Sequence, residues 1–439
     1  PYRHRVRDVM TSPVEMAPLE MSVHAALDVM VRKRISSVLI GTPTGEIRIA
    51  TERDILRAIH ARGAAALAET VVSISNGPID TVPADDFLYR AIGRIARMGY
   101  RHLGVHDSDG RLVGIVSTGN LMRHRSATAL MLGDEIDAAA SGAALATAWA
   151  KLPALVRSLM HEAVGPHQIA GVISAEICGI TRRAAELAEQ AMQAEGHGAP
   201  PVAYAVLVLG SAGRGESLLA ADQDNAIVTA EGGGQGEAES ATDRWFETLA
   251  THMNAILDTA GIPFCNGGVM AKNRAWRMSR ADWRARIESW VTRQRPQDLL
   301  NVDIFFDAIC VHGERALADD IWRYAFAQGH AARDFQALLT ESARKPASPY
   351  NLLGQLRTDP DGRIDLKKFG LMPMFTSARV LASRHDIETR STPARLKGLV
   401  ERGVASADVI DPIIEAQARI LALMLAQQLA DTEAGVPLS

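Results

Sequence analysis

Cysteine is scarce in this sequence, and the few present are far apart. The three cysteines, Cys178, Cys265 and Cys310, form no Cys-x-x-Cys pair. This spacing argues against a disulfide framework and against a structural zinc site, and it fits a reducing cytosol. The sequence also lacks both a secretory signal and an apolar run long enough to cross a bilayer. We therefore expect a cytoplasmic protein.

A strongly basic segment is absent too. The 439 residues carry a net charge of −4 at pH 7, so a nucleic-acid-binding surface is not favoured. Apolar residues make up 47% and charged residues 22%, which is ordinary for a folded protein with real cores. At this length we expect about two to four domains. Because the chain begins at Pro1 rather than at a methionine, we also expect that a segment precedes it.

Residues 203–228 carry the clearest chemical signal. Ala203–Leu209 is a short apolar run, which predicts a buried strand. The segment Gly210–Gly215 follows with three glycines, and Glu216–Leu219 is predicted as a short helix. A helix that starts after such a turn presents free backbone N–H groups, and these suit a phosphate.

Two carboxylates come next in the chain. Asp222 and Asp224 lead into Ala226–Val228, a second short strand, and the period of a strand puts both on one face. Two close carboxylates repel each other unless a cation lies between them. Beside a phosphate cradle, they predict a Mg²⁺ site for a nucleoside triphosphate. The alternative is a plain strand–turn–strand with a polar edge.

This stretch resembles the nucleotidyltransferase superfamily that includes DNA polymerase β, whose signature is Gly-Ser followed by Asp-x-Asp on a strand. Gly213–Glu216 is similar to bacterial signalling members, such as the uridylyltransferase that modifies the nitrogen-regulatory PII protein. Gln223 departs from the pattern, because many members have an apolar residue there. The resemblance implies that the nucleotide is bound by Gly210, Ser211, Gly213 and Arg214. Arg214 has a second interpretation, as a structural partner of Glu216.

Residues 6–125 contain an internal repeat. Pro13 and Pro78, and likewise Gly45 and Gly110, keep a common offset of 65 residues. Each copy has the pattern of strand, helix, strand, turn, strand and helix. The repeat is therefore predicted to form two similar domains.

The repeat resembles a tandem pair of CBS domains, which bind adenine nucleotides between the two copies. The resemblance implies that Thr51 and Asp54 serve one site, and that Ser117 and Asn120 serve the other. We expect tighter binding of AMP or ATP at the first site, because a charged ribose acceptor is stronger than a neutral one. The first copy has Arg48 in place of a family glycine, and the shortened loop near Arg48 can reverse that order. The alternative is a dimerisation scaffold, and CBS pairs commonly form homodimers.

A third acidic position lies near residue 300. Leu299–Ala308 is predicted as a strand, with Asp303 and Asp307 on one face. The stretch from Cys265 to Gly313 strongly resembles the CBS-domain nucleotidyltransferases of bacteria. That resemblance implies that Asp307 is the third metal-binding carboxylate, with Asp303 as a further candidate. Ile309 stands where an arginine is usual in the family.

We therefore expect an α/β and α+β multidomain protein. Its predicted parts are a tandem CBS pair (1–125), a helical connector (126–200), a polymerase-β-like nucleotidyltransferase core (201–314) and a helical C-terminal domain (315–439). In the last of these, Arg379, Arg384 and His385 either face the nucleotide or form a solvated helix face.

The expected function is a Mg²⁺-dependent transfer of a nucleoside monophosphate to an acceptor, which by analogy is a protein. The catalytic and metal-binding residues would be Asp222, Asp224 and Asp307, and an adenine nucleotide at the CBS pair would regulate the reaction. The alternative is a non-catalytic nucleotide-sensing protein with an inactive core. The missing arginine at Ile309 favours this alternative, whereas the three aspartates count against it.

Overall fold

The structure is a computed structural model that divides into two compact units, Pro1–Asp134 and Glu135–Ser439. The residues it describes are 5–33, 35–41, 45–118, 132–231, 237–293, 304–344, 350, 356–358 and 362–439. Within these ranges, every helix is too short or too polar to cross a membrane. Each unit is built around its own apolar cores, as described below.

The first unit contains two copies of one small α/β arrangement. Its helices are α1 (Val6–Val9), α2 (Val23–Lys33), α3 (Glu52–Arg62) and α4 (Leu88–Met98). Its strands are β1 (Ser37–Gly41), β2 (Ile47–Thr51), β3 (Thr81–Pro83), β4 (His102–His106) and β5 (Leu112–Ser117). Two short 3₁₀ helices, Gly63–Ala68 and Val71–Ile74, connect α3 to the second copy.

Strand pairing in this unit follows the predicted repeat. β1 pairs antiparallel with β2, and β4 pairs antiparallel with β5. β3 lies parallel to β4, and in the first copy a parallel bridge from Met16 to Leu39 takes the corresponding place. Gly45 and Gly110 both have positive φ, as their turn between paired strands requires. Each copy has an apolar cluster, and Val6 from the start of the first copy packs into the cluster of the second. The predicted two-domain arrangement is confirmed.

The second unit is mainly helical around one sheet. Its first helices are α5 (Leu132–Ala138), α6 (Gly142–Trp149), α7 (Leu152–His161), α8 (Pro166–Ala194), α9 (Gly210–Arg214) and α10 (Glu237–Thr259). Its later helices are α11 (Arg280–Arg293), α12 (Arg315–Ala331), α13 (Arg333–Arg344), α14 (Met372–Arg384), α15 (Thr392–Glu401) and α16 (Ala407–Ala434). A 3₁₀ turn at Arg274–Trp276 and a π-helical turn at Lys367–Leu371 complete it.

The sheet of this unit has the order β8–β7–β6–β9. These strands are β6 (Tyr204–Val208), β7 (Asn225–Thr229), β8 (Arg277–Ser279) and β9 (Ile309–Gly313). β6 runs antiparallel to both β7 and β9, whereas β7 and β8 are parallel. Every residue of β6 and β7 is buried, because helices cover both faces of the sheet.

The two faces of the sheet have different partners. The odd-numbered residues of β6 belong to a large apolar cluster with Trp283 and Trp322, which are on α11 and α12. On the other face, the Tyr204 ring packs against Phe246 of α10, and its hydroxyl donates to Glu189 of α8. The connector helix α8 is therefore part of the covering of the sheet and belongs to the same compact unit.

One predicted strand is wrong in its described part. Ile304 and Phe305 are helical, and the strand begins only at Ile309. Phe305 and Phe306 are both buried in the apolar cluster, so a helical turn places adjacent aromatic rings in one core. Asp303 lies outside the described residues.

Candidate active site

The chain leaves β6 and turns directly into the short helix α9. This helix begins at Gly210 and ends at Arg214, where Gly215 adopts a left-handed conformation with φ of +75°. The prediction of a helix at Glu216–Leu219 is therefore wrong. Residues 216–219 are irregular, and the Ser217 and Leu219 N–H groups donate to the Ser174 and Gln428 side chains.

Gly210 brings this turn against the second acidic residue. Its φ is +59°, and a Cβ atom here would lie 2.5 Å from Oδ2 of Asp224. The Leu209 N–H donates to the Asp224 carbonyl oxygen at 3.0 Å, which fixes the two segments side by side. A side chain at residue 210 would therefore displace the Asp224 carboxylate.

Asp222 and Asp224 lie just before β7, and their carboxylates converge as the alternation of side chains predicted. Asp222 is exposed and Asp224 is half-buried. Gln223, between them, points the opposite way and is buried. Its amide nitrogen donates to the Asn254 and Ile262 carbonyl oxygens, at 3.0 and 2.8 Å. A polar residue is tolerated at this position because its hydrogen bonds are satisfied inside the protein.

A third side chain with a metal-binding atom joins the pair. One carboxylate oxygen each from Asp222 and Asp224 and the Sγ of Cys265 all lie within 4.8 Å of one another. The thiol of Cys265 donates to Asp224 and accepts the N–H of Val269. In the described part of the chain, no other group of three His, Cys, Asp or Glu side chains is as close.

Mutual repulsion and burial dominate the electrostatics here. Burial, followed by the charge of Asp222, raises the pKa of Asp224 to about 6, although Cys265, Lys367 and Arg214 act in the opposite direction. Burial and the neighbouring Asp224 raise the pKa of the Cys265 thiol to about 11. Both pKa shifts have burial as their largest cause, and the neighbouring carboxylates add to it.

These residues fit a divalent cation. Their donor set is two carboxylates and a sulfur, and the glycine at 210 leaves room beside the more buried carboxylate. Carboxylate oxygens are the ligands that Mg²⁺ takes in phosphate-binding sites. Asp222 and Asp224 would hold such a cation.

The predicted role of Asp307 as the third metal-binding carboxylate has to be corrected, because Asp307 is not in the group formed by Asp222, Asp224 and Cys265. Its carboxylate is fully buried and lies among three arginines. Arg214 Nη1 and Arg379 Nη2 each contact Oδ2 at 2.5 Å, and Arg395 Nη2 is 3.0 Å from Oδ1. Burial by itself raises the pKa of Asp307, but these arginines outweigh it and lower the pKa to about 2. Both oxygens are thus occupied by structural partners.

Arg214 has the structural role that the sequence left open. Besides Asp307, its guanidinium contacts Glu216, with Nε 3.2 Å from Oε2, and lies 4.2 Å from the centre of the Phe375 ring. Glu216 in turn accepts hydrogen bonds from the N–H and hydroxyl of Thr392, at the start of α15. A carboxylate is favoured at a helix N-terminus. The loop after α9 is therefore held against the C-terminal helices.

Gly213 lies against the backbone of Asp307, since a Cβ at this position would be 2.1 Å from the Asp307 carbonyl oxygen.

An open cleft of about 800 Å³ adjoins the carboxylates. One wall is the segment from Ser211 to Asp222, and the other is formed by residues 362–375 and by α16. The apolar residues lining it include Leu218, Leu371, Phe375, Leu421 and Met424. A cleft of this size can hold a nucleotide.

Two cationic side chains line the C-terminal wall. Lys367 is exposed and close enough to lower the pKa of Asp224, while Arg363 pairs with Asp431. Lys367 begins the π-helical turn that leads into α14. Such turns are rare and often lie at functional sites. Of the three helix residues named from the sequence, Arg379 is buried with Asp307, Arg384 is exposed and His385 is half-buried.

In the first unit, Thr51 and Asp54 lie next to each other at the start of α3. The Thr51 hydroxyl and N–H both donate to Asp54 Oδ2, at 2.6 and 3.0 Å. Arg48 packs against Gly77 and donates hydrogen bonds to the hydroxyl and carbonyl oxygens of Ser75.

The partly exposed Ser117 lies in a cleft of about 680 Å³ within the first unit. Ser36, Glu52 and His102 also line it, and the Ser36 hydroxyl is 3.2 Å from the His102 Nε2. Asn120, predicted to act with Ser117, lies outside the described residues. The structure thus shows an open cleft at the second of the two predicted positions.

Family comparisons divide the chain in the same way. A model described as "Putative nucleotidyltransferase DUF294" matches residues 150–297, and one described as "Putative nucleotidyltransferase substrate binding domain" matches residues 333–439. The CBS domain model matches residues 6–61 and 71–127. The chain belongs to the CBS-domain nucleotidyltransferase family. Since the match starts at residue 150, this family's nucleotidyltransferase region includes α7 and α8, which lie within the predicted connector (126–200).

Several solved structures of CBS proteins are similar to part of this family member. A CBS-domain containing protein from Agrobacterium tumefaciens is 24% identical, over 28% of this chain and 98% of its own, with a TM-score of 0.26. A CBS domain protein from Pyrobaculum aerophilum, complexed with AMP, is 26% identical over 28% and 93%, with a TM-score of 0.26. One from Thermoplasma acidophilum is 22% identical over 29% and 72%, with a TM-score of 0.27. None of the curated proteins is a significant match.

Sequence reasoning missed two residues at the site of this nucleotidyltransferase family member. In the sequence Cys265 is one of three scattered cysteines, and the signal beside it is the Gly267-Gly268 pair, which permits a close backbone approach. Lys367 stands in a run of basic and apolar residues that gave no sign of its position. Both are far from Asp222 and Asp224 in sequence, and only the fold brings them together.

Proposed function

We propose that the second unit binds a nucleoside triphosphate with a divalent cation in the cleft at Ser211, and transfers its nucleotidyl group to an acceptor hydroxyl. The observation that carries this proposal is the convergence of the Asp222 and Asp224 carboxylates, since Asp222 also lines that cleft. Mg²⁺ is the cation that the sequence resemblance implies. When bound, it offsets phosphate charge and stabilises the attacking and leaving oxygens.

The chain's own residues would orient the substrates. The Ser211 hydroxyl, which is 3.3 Å from the Ser217 hydroxyl, faces the cleft and can donate to a phosphate oxygen. Lys367, on the opposite wall, supplies positive charge without an ion-pair partner among the described residues. The apolar side chains of α14 and α16 would enclose the base or the acceptor and exclude water. The acceptor oxygen would bond to the α-phosphorus, pyrophosphate would leave, and the hydroxyl proton would pass to solvent.

Transfer of label tests this proposal. The purified chain is incubated with Mg²⁺ and, in turn, with ATP, GTP, CTP and UTP labelled at the α-phosphate, in the presence of a cell lysate. We expect one nucleotide to give a labelled product with the wild-type chain and none with Asp222→Ala, because the cation loses a ligand. As a control, Asp320→Ala removes a partly exposed aspartate that pairs with Arg284 and should leave the transfer unchanged. Equal labelling by the wild type and Asp222→Ala would contradict the proposal.

A second candidate is a nucleotide-sensing protein whose core binds the triphosphate but does not react. The sequestration of Asp307 among arginines favours it, because the described residues then offer no third carboxylate to the acceptor side of the site. The same experiment separates the candidates. Triphosphate binding that depends on Asp222, without transfer to any product, supports the sensor.

We also propose that an adenine nucleotide binds the CBS pair and regulates the second unit. The hydroxyl and carboxylate groups at the first unit's cleft, from Ser36, Glu52 and Ser117, suit the ribose and amino groups of such a ligand. The open cleft that Ser117 lines is therefore the site that we propose for this ligand. This reverses the order expected from the charge of Asp54. A homodimer formed by the CBS pairs stays a proposal from the resemblance.

A further inference from the structure

Cys265 is held beside the carboxylate pair by a rigid piece of backbone. The Asn225 N–H donates to the Val269 carbonyl oxygen at 3.0 Å, and the Ala271 N–H donates to the Asn225 side chain at 2.8 Å. Asn225 directly follows Asp224, so these bonds fix the loop of Cys265 to the metal-binding strand. The Gly268 N–H donates to the Cys265 carbonyl oxygen and closes a tight turn. In this turn the Cys265 sulfur lies against Asp224.

The Cys265 sulfur supplies a third metal-binding atom beside Asp222 and Asp224, which Asp307 cannot supply. Asp307 is fully buried and saturated by arginines, whereas the Cys265 Sγ lies within 4.8 Å of both carboxylates. Of the three cysteines, only Cys265 is in such a group within the described residues; Cys310 contacts a backbone carbonyl oxygen instead. Two oxygens and one sulfur on a half-buried face are a donor set for a cation of intermediate softness.

We propose that Cys265 is a third protein ligand at this site and sets its metal preference. This inference rests on the proposed function, because it concerns the cation of the same site. Mg²⁺ is a hard cation that takes oxygen ligands and keeps several waters, so it would use the two carboxylates and leave the sulfur aside. A transition cation such as Co²⁺ or Zn²⁺ accepts a thiolate. On its binding, the thiol proton passes to solvent and a metal–sulfur bond forms.

Cobalt titration of the full chain tests the inference without an activity assay. Co²⁺ alone is titrated into the wild type, and a thiolate-to-cobalt charge-transfer band is followed in the near ultraviolet. We expect the band in the wild type and its loss in Cys265→Ser, which is nearly isosteric. Calorimetry on the same proteins should show Co²⁺ affinity reduced by about tenfold or more, with Mg²⁺ affinity changed by less than about threefold.

Cys310→Ser is the matched control. This cysteine is also half-buried but has no carboxylate pair, so its replacement should leave the cobalt band in place. A band that survives in Cys265→Ser, or disappears in Cys310→Ser, would overturn the inference.

The remaining outcomes separate this inference from the proposed function. If Co²⁺ binds the wild type without a thiolate band, and binding is lost in Asp224→Asn, then Cys265 is not a ligand but the carboxylate site stands. If neither Co²⁺ nor Mg²⁺ binds the wild type, with or without a nucleoside triphosphate, both the inference and the proposed cation site fail.

Discussion

At the scale of single residues, the pKa and the role of an aspartate depend on which side chains the fold places beside it. Asp224 and Asp307 are both carboxylates near strand ends, yet one pKa is raised to about 6 and the other is lowered to about 2. Asp224 faces another carboxylate and a thiol, whereas Asp307 faces three guanidinium groups. A sequence pattern cannot separate a metal ligand from the centre of an ion-pair network, because the arginines come from α9, α14 and α15.

Asp307→Asn should destabilise the second unit strongly. Removing the buried anion leaves Arg214, Arg379 and Arg395 without their shared partner, and breaking such a buried pair costs about 3–5 kcal/mol. Denaturant unfolding followed by tryptophan fluorescence measures this unit alone, since all six tryptophans lie after residue 134. Asp320→Asn, which breaks the more exposed pair with Arg284, should cost less than about 1 kcal/mol.

The effect of Asp307→Asn should also depend on pH. The pKa of Asp307 in the folded state, about 2, lies below its unfolded value of about 3.9. Its stabilisation is therefore complete above the unfolded pKa and is lost as pH falls toward the folded one. The difference between the wild type and Asp307→Asn should shrink between pH 5 and pH 2. A loss at pH 7 no larger than that of Asp320→Asn would show that the arginines do not depend on Asp307.

At the scale of elements, local patterns predicted what local interactions decide. The strand before Gly210 and the strand after Asp224 follow from buried apolar runs. Their antiparallel pairing places the turn and the carboxylates at the same end of the two strands. The segment Glu216–Leu219, expected as a helix, is irregular, and its N–H groups donate to side chains of α8 and α16. The strand expected near Phe305 is not formed there, because Phe305 and Phe306 are both buried in one apolar core. In both cases a distant tertiary partner overrides the local preference.

At the scale of the whole molecule, the repeat and the nucleotidyltransferase signature predicted the division of the chain. The two units found in the structure separate near residue 134, and the family matches place the CBS pair in the first. A ligand of one unit can change the other only if it binds two states of the protein with different affinity.

Deleting residues 1–131 should therefore remove a response to AMP without removing triphosphate binding. The cut leaves α5, at Leu132–Ala138, and the whole second unit complete. Mg²⁺–triphosphate affinity is measured by calorimetry with and without AMP, in the full chain and in the shortened one. We expect AMP to change the affinity of the full chain by about fivefold or more and to leave the shortened chain unchanged. Equal AMP sensitivity in both would show that the repeat is not the sensor.

The central claim is that Asp222 and Asp224 hold the cation of a bound triphosphate, and one binding measurement tests it most directly. Triphosphate affinity is compared with Mg²⁺ and with a chelator, in the wild type, in Asp222→Asn plus Asp224→Asn, and in Asp365→Asn, which changes another aspartate of the same cleft. We predict that the wild type and Asp365→Asn lose about tenfold or more in affinity without Mg²⁺. The double variant should bind weakly and equally in both conditions, because it has lost the ligands and also the repulsion. A double variant that keeps the wild-type dependence on Mg²⁺ would contradict the assignment.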